Sequence, residues 1–202
     1  MALPTYDKSK RRQNFQQLPK GAYVLKIMNA KEVANKNSSG THLEIAFDIA
    51  EGEFQGFYMD QFNRNTSEDK KYNRDAYYYL NVPDDNSQPY VWENYSTFFA
   101  DLEDSNNGYV FDGNVNADGA IPALKGKLIG GKFHIEQTEY RGTVYNHTRL
   151  RFTCVADDVR KGKAGQLPND KLVGQGGAKQ PELGKPTDFM EIPEGSAEEV
   201  PW

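Results

Sequence analysis

The chain has 202 residues, a formal net charge of −5 and only 37% apolar residues, below the ~45–50% of an average globular protein, so its length suits one domain with polar extensions. No apolar run nears the ~20 residues of a membrane helix, and the start MALPTYDKSKRRQNF has no apolar signal segment. A single cysteine, Cys154, excludes a disulfide scaffold and, with no CxxC pair, a thiolate zinc site. These features predict a cytoplasmic protein with no membrane association.

Residues 1–20 read as an arm: polar, without a period, and basic at Lys8, Lys10, Arg11 and Arg12. The segment GAYVLKIMNAKEV (21–33) then alternates, with Tyr23, Leu25, Ile27 and Asn29 on one face and Val24, Lys26 and Met28 on the other. That alternation predicts a long strand. After the turn cluster NKNSSG comes THLEIAFDIA (41–50), a second strand with Leu43, Ile45, Phe47 and Ile49 inward. FYMDQF (57–62) is predicted as a third strand, reached through a glycine-containing hairpin connection. Residues 63–89 read as a polar insertion, with Tyr77, Tyr78 and Tyr79 in a short helix. In YVWENYSTFFADLED (90–104), Val91, Tyr95, Phe98 and Leu102 recur at helical spacing, which predicts the main helix.

Strand character returns in GKLIGGKFHIEQTEY (126–140), where Gly130 and Gly131 suggest a bend or bulge. The turn YRGT leads into VYNHTRLRFTCV (144–155), with Val144, Leu150, Phe152 and Cys154 expected on one face and Tyr145, Arg149 and Arg151 on the other. From residue 161 onward glycine and proline break up a stretch with few apolar residues, so 161–202 reads as a flexible linker ending in an acidic tip. The order strand–strand–strand–helix–strand–strand predicts a five-stranded OB-fold barrel over residues 21–160, with an insertion before the helix and a disordered tail.

The strand segments GAYVLKI and THLEIAFDIAEGEFQGFYMDQF, the hairpin LKGKLIGGKFHIEQTEYRGTVYNHTRLRF, the glycine-rich linker and the terminal EEVPW together resemble a bacteriophage-type single-stranded DNA-binding protein of Gram-positive hosts. The tail is similar to the acidic tip of bacterial single-stranded DNA-binding proteins, with Trp202 in place of the usual phenylalanine and two acids instead of a run. The resemblance implies coating of single strands in phage or prophage replication and recombination. It also implies recruitment of replication or recombination proteins through Glu198, Glu199, Val200, Pro201 and Trp202.

Binding without sequence preference requires cations along the phosphate track and aromatic faces for base stacking, worth ~1–3 kcal/mol per base. Tyr145, Arg149 and Arg151 share a predicted strand face and are the leading candidates. Lys26 and Lys132 would extend the track, and Tyr58, Tyr140 and Arg141 are further candidates. No cofactor is expected, and DGNVNADG (112–119) fails as a calcium loop because position six is Ala117 and position twelve Ala123. The chain is expected not to be an enzyme. Two other readings stay open: a β-module that binds protein or carbohydrate, and a nuclease using Glu44, Asp48 or Asp60. The sequence leaves a homo-oligomer open.

Overall fold

The computed structural model describes residues 17–36 and 39–174. Its centre is one antiparallel five-stranded sheet in the order β3-β2-β1-β4-β5, formed by β1 (Ala22–Ala34), β2 (Thr41–Ile49), β3 (Tyr77–Asn81), β4 (Leu128–Tyr140) and β5 (Thr143–Cys154). Three helices accompany it: α1 (Phe57–Arg64), α2 (Pro89–Ser105) and α3 (Ala156–Arg160). No helix among the described residues is long and apolar enough to cross a membrane.

The alternating faces of β1 and β2 make the core, as their period requires. Leu25, Ile27, Leu43, Ile45, Phe47 and Ile49 are all buried. Phe47 meets Phe133 of β4 edge-on at 5.8 Å, and Tyr78 of β3 stacks on Phe98 of α2 at 6.0 Å. The predicted main helix is therefore present, and its Phe98, Phe99 and Leu102 are buried against the sheet.

The third and fourth elements exchange character relative to the sequence pattern. FYMDQF is helical, and the tyrosine triplet is a strand. The reason lies outside either segment. The buried Asp48 carboxylate, at the end of β2, accepts the backbone N–H groups of Ile49 (2.8 Å), Tyr58 (2.9 Å) and Met59 (3.1 Å). A carboxylate thus caps the first turn of α1 from a neighbouring strand, where free N–H groups and the helix dipole both favour it. Gly56 at the N-cap supplies the left-handed backbone, φ 73°, that turns the chain into the helix. Tyr77–Asn81 instead completes the ladder along His42–Ala46 of β2.

Two bulges curve the sheet. One falls between Ile27 and Asn29 of β1, and after it Ala30, not Asn29, faces the core. The other lies on β5 opposite the Lys132/Phe133 step. Each extra residue bends its strand and shifts every later side chain to the other face. Gly130 and Gly131 stay in register but are packing glycines. A Cβ on Gly130 would lie 2.8 Å from Val159 of α3, and one on Gly131 would lie 2.6 Å from Leu25.

The curved sheet is not closed. Its edge strands β3 and β5 face each other across a seam spanned by Asp75, from the 3-10 turn Arg74–Ala76. Asp75 accepts from Arg149 Nε at 3.4 Å and pairs with His147 Nδ1 at 3.2 Å. Part of the predicted linker belongs to the fold. Lys171 exchanges backbone hydrogen bonds with Ile135 and Gln137 along the edge of β4 beyond the reach of β1, and Asp170 pairs with Lys20 at 2.9 Å.

Candidate nucleic-acid interface

The β4–β5 hairpin carries most of the sequence-predicted residues. Its turn is two residues long, Arg141 (φ 51°) and Gly142 (φ 75°), and both adopt the left-handed conformation that a tight hairpin with the natural strand twist requires. The register Tyr140↔Thr143, Thr138↔Tyr145, Glu136↔His147 and His134↔Arg149 places Tyr140, Tyr145, His147 and Arg149 on one face, turned away from Phe133 and Leu150 in the core. Tyr140 is 61% exposed and Tyr145 48%. The Arg141 guanidinium lies over the Tyr140 ring, 5.1 Å from its centre.

Beyond Arg149 the bulge changes the pattern. Leu150 opposes Phe133 and Phe152 opposes Lys132, so Arg151 is the extra residue. Strict alternation assigns Phe152 to the core, but the inserted residue turns it outward, 45% exposed, while Thr153 takes the buried position. The Phe152 ring lies between two cations, with Lys132 Nζ 5.9 Å and the Arg151 guanidinium carbon 5.4 Å from its centre. Lys132 and Arg151 thus stand together around an aromatic ring that strict alternation assigns to the core.

Arg149 is placed as predicted but its charge is engaged. Besides Asp75, it pairs with Glu136 at 3.2 Å, and Lys171 holds Glu136 at 2.8 Å. Burial pushes the Glu136 carboxyl up, but the Lys171 hydrogen bond and the Arg149 and Lys171 charges outweigh it, leaving the group below its ordinary range. A carboxylate on each side reduces the field that Arg149 offers to an incoming anion.

Two expected residues sit elsewhere. Tyr58 is 1% exposed in α1, packed edge-on against Phe47 and Phe57, and presents no face for stacking. A strand over 57–62 would turn Tyr58 outward, but the helix directs it into the core. Lys26 is exposed on β1, but Val159 of α3 packs over Gly130 in the rows between it and Lys132. Lys26 is therefore separate from the hairpin row. Glu44, Asp48 and Asp60 do not converge on a shared open site: Asp48 is spent on three N–H groups, Asp60 pairs with Arg64 at 3.8 Å, and Glu44 faces His42 at 3.4 Å.

Sequence reasoning also missed Tyr77 and Tyr79, half-buried on β3 and stacked on each other at 6.2 Å. Their alternate spacing on a strand was the available signal, hidden by a helical reading of the triplet. The tail residues Glu198, Glu199, Val200, Pro201 and Trp202 lie outside the described residues.

Residues 4–82 match a family described as "Protein of unknown function (DUF669)". The match takes in β1, β2, α1 and β3 and ends before α2, so the β4–β5 hairpin lies beyond it. No curated protein matches the chain.

Proposed function

We propose that this protein binds single-stranded DNA with little sequence preference, along the outer face of the β4–β5 hairpin, in phage or prophage replication and recombination. The observation that carries this reading is a row of exposed rings, Tyr140, Tyr145 and Phe152, with Arg141 beside the first and Lys132 and Arg151 around the last. Rings stack on bases whatever their identity, and the flanking cations take the phosphates between them. The strand pairing supports an OB-type barrel left open at one seam: β1 pairs with both β2 and β4, and the two edge strands approach each other at Asp75. On this reading the net charge of −5 is no obstacle, because binding depends on the local potential of the hairpin. The terminal Glu198–Trp202 peptide would serve as a ligand for replication or recombination partners, its indole entering an apolar pocket.

Anisotropy of a labelled oligo-dT of roughly 30 nucleotides, titrated at two salt concentrations, tests the proposal. With Lys132, Arg141 and Arg151 engaged on phosphates, log affinity should fall against log salt with a slope of about −2. No binding at low salt by micromolar protein, or equal affinity for duplex, would overturn it.

A further inference from the structure

A polar concavity lies just inside the seam. A cleft of about 530 Å³ opens between α1, the turn at Asp75 and the inner side of β5, within the ~300–1,000 Å³ of small-molecule sites. Among the described residues, five carboxamides line it: Gln17, Gln61, Asn65, Asn73 and Asn146. Some of their capacity goes to one another and to neighbours. Asn73 Nδ2 donates to Gln61 Oε1 at 2.8 Å, and Gln17 Nε2 donates to Thr148 Oγ1 at 3.1 Å. Each of these amide nitrogens carries a second hydrogen, so the lining still presents donors. The rings of Phe57 and Phe62 complete the wall. Tyr58 lines the same cleft, and its buried hydroxyl has no hydrogen-bond partner among the described residues, a condition that ordinarily costs ~1–3 kcal/mol.

The lining selects a ligand class. Among the described residues, Asp75 and Lys71 are the only charged members of the lining, one of each sign, so these residues favour neither an anion nor a cation. Carboxamides offer paired donor and acceptor positions in one plane, matching the edge of a heterocyclic base, and the aromatic wall matches its face. We infer that this cleft binds a single nucleobase, held by its edge. The inference rests on the single-strand reading, because Asn146 directly follows Tyr145 in β5 and Asp75 holds Arg149, so the cleft borders the proposed track. The base could be one turned out of a bound strand or part of a free nucleoside, and the chemistry is shared.

The test is NMR of side-chain amides in the full chain, with each of the four deoxynucleosides, then oligo-dT, then an oligo with abasic sites as probes. Support is a shift of the Gln61, Asn65, Asn73 and Asn146 amides with free nucleosides, or with oligo-dT but not the abasic strand. The first outcome assigns a free-nucleoside site, the second a subsite for a strand's base. Asn146→Ala should weaken that response about three- to tenfold, the equivalent of one lost hydrogen bond. Asn146 is exposed, so the melting temperature of Asn146→Ala should hold, which separates lost binding from lost fold. Silent cleft amides with every probe, while oligo-dT still binds by anisotropy, overturn the inference and leave the single-strand reading standing. Nucleoside shifts without any oligonucleotide binding do the reverse: the cleft stands and the strand track falls.

Discussion

Replacing Phe152 by alanine tests the hairpin surface most directly. The ring is 45% exposed and lies between the Lys132 and Arg151 cations. Exposed cation–ring contacts are worth ~0.5–1 kcal/mol each, so truncation should cost the fold no more than about 2 kcal/mol. Fully buried Phe133, by contrast, should cost ~3–5 kcal/mol when cut to alanine. For binding, Phe152→Ala forfeits one base stack, ~1–3 kcal/mol, or about five- to 150-fold in Kd. Phe152→Leu keeps apolar bulk but has no π face and should behave almost like alanine, whereas Phe152→Trp should bind at least as well as the parent. Anisotropy with oligo-dT measures all three, and chemical denaturation checks that each is folded. An alanine variant that is folded and binds within about twofold of the parent would refute the stacking role.

Asp75→Asn should release Arg149 from one of its two carboxylates and steepen the salt dependence of oligo-dT binding by up to ~0.7 in log–log slope, with tighter binding at low salt. An unchanged slope would show that Arg149 contributes nothing to the track. Asp48→Asn retains an oxygen for Ile49 and Tyr58 but presents an N–H to the Met59 N–H, so it should lower stability by about 1–3 kcal/mol in urea denaturation. A stability equal to the parent's would remove the cap argument for α1. The strap at 170–171 should loosen in acid. The Lys20 hydrogen bond and the Ile135 N–H hold Asp170 below its ordinary 3.8, and Glu136 lies below 4.5. Carboxyls lowered by folding contribute stability above their unfolded values and lose it as pH falls through the folded ones. Amide exchange at Ile135, Gln137 and Lys171 should therefore accelerate below about pH 4 relative to core β2 amides. Uniform protection down to pH 2 would count against that linkage.

Period alone located four of the five strands and the main helix. In β1, β2, β4 and β5 every second residue must meet either the core or water, and that constraint is written in the order of residues. It placed Tyr145 and Arg149 on one outer face, where they are. Hairpin chemistry at Arg141–Gly142 was equally local. Three matters needed the tertiary structure. FYMDQF supports both a period of two and a period of 3.6, and the choice fell to Asp48, whose carboxylate reaches the N–H groups of Tyr58 and Met59 from another strand. The face shown by Phe152 depended on a single inserted residue, Arg151, because one extra residue reverses the alternation beyond it. The charge available at Arg149 depended on Asp75 and Glu136, one of them 74 positions away in sequence. A periodic pattern records which side of a strand a residue takes, but caps, bulges and ion pairs join groups far apart in the chain, and only the folded backbone sets those distances.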